Sequence, residues 1–248
     1  MAMKISVVTA VYNRAHCIAS TIRSVQQQSY KNIEHLIVDG ASTDGTLEII
    51  RGCISPDSTL ISERDSGIYD ALNKGFLRAT GDVIGILHSD DCFYDDKVIE
   101  RVAKTFNEHD VDYVYGDIEM INSDDKVFRH WKVGHLENGF IMSKQIPHPS
   151  LFISRNLLMK LHPPFDPTYK ISADLKQQLL IANKLRSRGF YIPCSLVKMR
   201  VGGTSTSNFM SYLDGWIESR RAWNEVHGSG GFLYVLRKVI SKISGIRI

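Results

Sequence analysis

Apolar positions in this chain fall into two alternating rhythms up to about residue 116. Ile5-Ser6-Val7-Val8-Thr9-Ala10-Val11 is a near-continuous apolar run, which predicts a strand buried on both faces, and Ile18, Ile22 and Val25 then recur at helical spacing. The exchange repeats with a strand at 35–38 ending at Asp39-Gly40, then a helix through Leu47 and Ile50 that Thr43 or Asp44 would cap. Leu60-Ile61 predicts a short strand, and Tyr69, Leu72, Phe76 and Ala79 lie on one face of a helix. A strand over 82–87 breaks at His88-Ser89-Asp90-Asp91, and a helix (Val98, Val102, Phe106) and a strand over 111–115 follow. Continuous apolar strands alternating with helices predict an α/β fold around a mainly parallel, Rossmann-like sheet.

Beyond Gly116 the alternation lapses. Residues 117–131 read as a short meander around Ser123-Asp124-Asp125, followed by a helix over 171–184, a strand over 190–193 and a helix over 208–226. No Gly/Ser linker and no internal repeat separates the halves. The predicted organisation is a ligand-binding half over 1–116 and a smaller lobe over 117–230 of the same compact domain, with a C-terminal helix over 231–248.

Composition narrows the class. With 43% hydrophobic and 23% charged residues, the 248-residue chain is neither disordered nor fibrous. Cys17, Cys53, Cys92 and Cys194 are scattered without metal-finger spacing, which fits a reducing cytosol. The N-terminus runs almost directly into a strand, leaving no room for a signal peptide, and no apolar run approaches the ~20 residues of a membrane span. A net charge of +3 is too balanced for a nucleic-acid binder. That charge is unevenly placed: residues 232–248 hold Arg237, Lys238, Lys242 and Arg247 and no acid. On a helical wheel Phe232, Leu233, Val235, Leu236, Val239, Ile240, Ile243 and Ile246 form one apolar arc with most of the basic residues outside it. Such a helix suits an anionic membrane surface; packing on its own domain or on a second subunit, as in an oligomer, satisfies the same pattern.

The chemistry collects at strand ends. Thr9 and Tyr12-Asn13-Arg14 follow the first strand, Asp39-Gly40-Ala41-Ser42 the second, Glu63-Arg64-Asp65 the third and Ser89-Asp90-Asp91 the fourth. Ligands of open parallel sheets bind beyond the carboxyl ends of the strands, so four polar ends on one edge predict a polar-ligand site. No G-x-G-x-x-G, G-x-x-x-x-G-K-[ST] or G-x-S-x-G motif is present, which disfavours dinucleotide, phosphate-loop and nucleophile-elbow folds. Asp90 and Asp91 read either as turn and capping acids or as hard oxygen ligands for Mg²⁺ or Mn²⁺; the three companion strand ends favour the ligands.

The segments Val7-Val8-Thr9-Ala10-Val11-Tyr12-Asn13-Arg14, Ile37-Val38-Asp39-Gly40-Ala41-Ser42-Thr43-Asp44-Gly45-Thr46, Ser66-Gly67-Ile68-Tyr69-Asp70-Ala71-Leu72-Asn73-Lys74-Gly75 and Leu87-His88-Ser89-Asp90-Asp91 together resemble a family-two glycosyltransferase of GT-A fold. The likeness is greatest to bacterial colanic-acid and O-antigen enzymes. It is dense over 4–95 and looser to about 207.

The resemblance implies that Thr9, Tyr12 and Asp39 line a nucleoside pocket, uridine rather than guanosine. Arg14, Asp65, Asp70, Asn73 and Lys74 would surround the nucleotide and sugar-phosphate. Asp90 and Asp91 would hold the metal and contact the donor. Asp174, in Ile171-Ser172-Ala173-Asp174-Leu175, would be the catalytic base; without the resemblance it is a helix N-terminal acid. His148 would contact the acceptor or serve as a core histidine. Gly202-Gly203-Thr204-Ser205 would close over the donor, with Arg200 reaching the diphosphate.

Two departures stand out: His88 replaces the first acid of the metal motif, and Ala173 the first acid of the base motif. The implied activity is inverting, metal-dependent transfer from a nucleotide-diphosphate sugar to a glycan, lipid-diphosphate-linked, at the inner face of the cytoplasmic membrane. The departures support a rival, a nucleotide-sugar binding protein of the same fold with impaired catalysis.

Overall fold

A computed structural model describes residues 2–122, 124–142, 145–200 and 209–243, with the backbone alone at 209–212 and 241–243. The first half follows the predicted alternation: β1 (Ile5–Val11), α1 (Ile18–Gln26), β2 (Ile33–Asp39), α2 (Thr46–Cys53), β3 (Thr59–Ser62), α3 (Ile68–Arg78) and β4 (Val83–Ile86). A two-residue β5 (Cys92–Phe93), α4 (Val98–Glu108) and β6 (Tyr113–Ile121) come next. Every residue of β1 is buried, as a strand covered by helices on both faces must be. Helix α3 lies flush on β1 because a Cβ at Gly75 would come within 2.4 Å of Val8 Cγ1. Asp44 accepts from the Thr46 N–H (3.0 Å) while Gly45, with φ 93°, occupies the N-cap of α2 itself.

The second half completes the same sheet. It contributes β7 (Val127–Trp131), β8 (Leu151–Ser154), α5 (Arg155–Leu158), α6 (Ala173–Gln178) continued by a π-helical turn over Leu179–Lys184, β9 (Gly189–Arg200), α7 (Phe209–His227) and α8 (Gly231–Ile243). The described strands run β3-β2-β1-β4-β8-β6-β9-β5, with β7 on β6. The β1–β2, β1–β4, β2–β3 and β6–β9 pairs are parallel, and β8, β5 and β7 run against their neighbours.

Three expectations change. The strand ending at Tyr115 continues to Ile121 and forms a hairpin with β7. The strand over 190–193 is twelve residues long: the register with β6 jumps from Gly116↔Ile192 to Asp117↔Ser195, so Pro193 sits in a bulge rather than ending the strand. The helix over 171–184 begins at Ala173 and turns π-helical after Gln178. Ser123, the 202–205 loop and the tail beyond residue 243 lie outside the described residues.

Helix α8 is docked by its Tyr234 side. Tyr234 is buried and its ring stacks on Trp223 of α7 at 4.6 Å. The opposite side leaves Phe232 (70%), Leu233, Leu236 and Ile240 exposed, with Arg237 also on the outside. Within the predicted apolar arc, Val235 and Val239 are therefore half-buried while Phe232, Leu233, Leu236 and Ile240 are exposed. No described helix is long and apolar enough to cross a membrane.

Candidate active site

The turns after β1 and β2 are joined by side-chain-to-backbone hydrogen bonds. The Asn13 N–H donates to Ser42 Oγ (2.9 Å), Asn13 Oδ1 accepts the Thr43 N–H (2.9 Å), and the Arg14 and Ala15 N–H groups donate to Thr46 Oγ1 (2.8 Å) and Asp44 Oδ2 (3.1 Å). These bonds hold Asn13 and Ala41 at φ 51° and 61°, a left-handed conformation that is costly for Ala.

Asp39 is fully buried, and its carboxylate accepts from Ser62 Oγ (2.7 Å) and from the Ser42 N–H at 3.2 and 3.3 Å. Gly40 has no room for a side chain. A Cβ there would stand 2.4 Å from Asp65 Oδ2 and 3.3 Å from Cδ2 of the exposed Tyr12 ring. Asp65 is steadied by the Gly67 N–H at 2.9 Å. An aromatic face beside two fixed carboxylates suits a nucleoside: the ring can stack on a base, and carboxylates accept from base N–H or ribose O–H.

Other predicted donor residues are committed differently. Thr9 is buried beneath this surface, its hydroxyl 3.0 Å from His35 Nε2, and burial pushes that imidazole down to about 4, keeping it neutral. Asp70 accepts the Ser66 N–H (3.0 Å), which with Lys74 lowers its pKa; Lys74 donates to the Arg64 carbonyl (2.7 Å) and pairs with Glu63 at 3.2 Å. These two shape the 63–66 loop. Asn73 faces the second half, its amide donating to the Phe165 carbonyl (2.8 Å) and accepting the Phe165 N–H (2.9 Å). Arg14 Nη1 donates to its neighbour's carbonyl at 3.1 Å.

At the end of β4, Asp91 is buried. Its Oδ1 accepts the Arg200 N–H at 3.1 Å, and its Oδ2 has no partner among the described residues. Burial, then the half-buried Asp90 beside it, pushes the Asp91 carboxyl well above the usual carboxylate range. The Arg200 guanidinium meanwhile donates to the Asn122 carbonyl (3.1 Å) and Asp125 Oδ1 (2.6 Å).

Two more buried polar atoms nearby lack partners among the described residues, His88 Nδ1 and His148 Nε2, and the two rings lie 5.7 Å apart. Burial first holds both imidazoles neutral, His148 down to about 3. Unpaired polar atoms gathered at one strand end mark a place prepared for something else to bind. A divalent cation fits: an orphaned carboxylate oxygen lies next to a second carboxylate. No group of three His, Cys, Asp or Glu side chains among the described residues can hold a metal, so the remaining positions would fall to substrate oxygens, as Mg²⁺ and Mn²⁺ tolerate.

An aromatic floor leads from here to the other predicted centre. His148 meets Phe165 edge-on at 5.2 Å, Phe165 contacts Tyr69 at 5.2 Å, and the Tyr69 hydroxyl donates to the Ile171 carbonyl at 2.6 Å. Asp174 stands in the first turn of α6, half-buried, its carboxyl raised by burial. Its Oδ2 accepts from Gln145 Nε2 at 2.7 Å. Glu218 of α7 fixes the approach to this helix by accepting the N–H groups of Lys170, Ile171 and Ser172 at 2.8 to 2.9 Å. Gln145 and Glu218 carry no local sequence signal, since only the fold brings them to residues 170–174.

The sheet and its flanking helices have the GT-A fold. The backbone aligns with S. aureus TarS 1–349 in complex with UDP-GlcNAc at a TM-score of 0.72, covering 99% of this chain and 74% of that one at 19% identity. It also aligns with the mannosyltransferase PcManGT of Pyrobaculum calidifontis in complex with GDP-Man and Mn²⁺, at 0.68, 97%, 70% and 18%. The chain belongs to Glycosyl transferase family 2, whose profile matches residues 6–160. It is 28% identical over 206 residues to an uncharacterised glycosyltransferase of Mycobacterium tuberculosis, spanning 82% of this chain and 77% of the relative. It is 32% identical over 174 residues to a PGL/p-HBAD biosynthesis glycosyltransferase of Mycobacterium bovis, spanning 68% and 66%.

Proposed function

We propose that the protein transfers a sugar with inversion from a nucleotide-diphosphate donor, UDP-linked by preference, to a hydroxyl of a lipid-diphosphate-linked glycan in bacterial surface-polysaccharide synthesis. The observation that carries this reading is the aromatic floor that links an acid pair, whose buried Asp91 has an oxygen without a partner among the described residues, to the half-buried Asp174 carboxylate. Tyr12, Asp39 and Asp65 hold the nucleoside. Asp90 and Asp91 would hold Mn²⁺ or Mg²⁺, which when bound would supply positive charge against the negative charge of the leaving group. Asp174 takes the proton of the acceptor hydroxyl as its oxygen bonds to the anomeric carbon and the bond from that carbon to the diphosphate breaks. The electron pair leaves with the nucleoside diphosphate. Attack from the face opposite the leaving group inverts the anomeric centre. His148, on the floor between the acid pair and Asp174, would meet the acceptor.

The exposed Phe232-Leu233-Leu236-Ile240 stripe beside Arg237 supports contact with an anionic membrane at the inner face of the cytoplasmic membrane, where such an acceptor resides. His88 and Ala173 favour the second reading, a sugar-nucleotide binding protein without turnover. Labelled UDP- and GDP-sugars, assayed with Mn²⁺ on a lipid-diphosphate-linked sugar, separate the two. Labelled product supports transfer; donor binding with no product under any donor supports the binding protein.

A further inference from the structure

Helix α8 does more than present an apolar stripe. Lys238 lies one turn beyond Tyr234 on the docked side, and its Nζ reaches Gln145 Oε1 (3.2 Å) and Ser219 Oγ of α7 (3.3 Å). The Gln145 amide in turn donates through Nε2 to Asp174 Oδ2 at 2.7 Å. We propose that Lys238 and Gln145 are positioning residues that fix Asp174 as an ionised, correctly turned proton acceptor; this rests on the reading of Asp174 as the base.

An ammonium group can only donate, so it fixes which end of the amide faces it. With the amide oxygen turned to Lys238, the NH₂ must face Asp174, and a donor facing a carboxylate favours its ionised form. Without the ammonium, the amide is free to turn its oxygen toward a protonated carboxyl and stabilise the form that cannot act as a base.

The other polar groups around Asp174 do not orient the Gln145 amide, although the Leu175 and Asp174 backbone N–H groups and the Tyr69 hydroxyl also favour the ionised carboxylate. Tyr69 of α3 gives its hydroxyl to the Ile171 carbonyl, and Glu218 of α7 is occupied by three backbone N–H groups. Tyr234, on α8 itself, is held protonated by burial and then by Asp174. Burial raises the Asp174 carboxyl; the Leu175 N–H and then the Lys238 charge oppose that rise, the second in the direction the geometry requires.

The test is the pH dependence of kcat at saturating donor and acceptor, which reports the base in the ternary complex. Lys238→Met and Gln145→Leu should each move the acid limb upward by about one pH unit, the size a nearby charge imposes on a carboxylate. The loss of kcat should then shrink as pH rises, with donor Kd unchanged and Lys238→Arg closer to the parent. A merely structural role would lower kcat equally at all pH values or lower Tm without moving the limb. Acid limbs that superimpose on the parent overturn the proposal, and Gln145→Leu decides it if Lys238→Met does not fold. Asp174→Asn separates the two failures. Retained transfer in that variant removes the base assignment itself, whereas lost transfer with unmoved limbs removes only the positioning role.

Discussion

The two sides of the site are made in different ways. The donor edge is local: its residues lie within a few positions of the ends of β1 to β4, and neighbouring turns hold one another by side-chain-to-backbone bonds such as Asn13–Ser42 and Arg14–Thr46. The acceptor side is assembled from a distance. Asp174 depends on Gln145, on Glu218 of α7 and on Lys238 of α8, and the floor beneath depends on Asn73 clamping Phe165 across the chain. If this edge binds donor as proposed, damage to the acceptor side should leave that binding in place. The reverse does not hold, because transfer needs both.

The largest expected effect breaks the two sides apart. Asp174→Asn should reduce transfer by about 10²- to 10⁴-fold, the span of general-base catalysis, while donor Kd by calorimetry stays within about twofold. A parallel loss of donor binding would mean that the sides are not separable.

Asp91→Asn should abolish the Mn²⁺-dependent part of donor affinity and at the same time raise Tm near neutral pH. The sign follows from the raised carboxyl: the folded state holds its proton more tightly than the unfolded state, so stability falls as pH rises from the ordinary carboxylate value through the raised one. The variant should therefore gain Tm only above that ordinary value; a lower Tm throughout would contradict the account.

Gly40→Ala should weaken donor binding about tenfold, roughly 1.4 kcal/mol, because its Cβ would displace Asp65, which stands 2.4 Å from that position. Calorimetry should show this with little change in the fold by circular dichroism. The smallest effect concerns the tail. Deleting residues 231–248 would remove Lys238 together with the stripe, so the sharper variant is Phe232→Ser, Leu236→Ser and Ile240→Ser combined. Flotation with anionic vesicles should fall severalfold while transfer to a water-soluble acceptor persists, and unchanged flotation would dissociate the stripe from membranes.

The same contrast governs what could be read from the sequence. Strands β1, β2 and β4 and their polar ends stand out because a buried parallel strand is a continuous apolar run and its functional residues follow at once. The sequence shows neither β8 nor β5, which have four and two residues and pair with β4 and β9 far along the chain. Pro193 hides the length of β9, since a proline reads as a strand end unless a bulge in its own strand takes it up. Asp174 is recognisable from its motif, but its supporters are not. Lys238 shows the limit most plainly: helical periodicity places it among the basic residues of an outer face, whereas docking through Tyr234 turns it inward to Gln145.

The central claim is a single displacement, with one carboxylate on the acceptor side acting against a leaving group held on the donor edge. Its most direct test is the anomeric configuration of the product, read from the proton coupling of the new linkage by NMR. Transfer from an α-linked nucleotide sugar should give a β-glycoside; an α-glycoside would contradict the account.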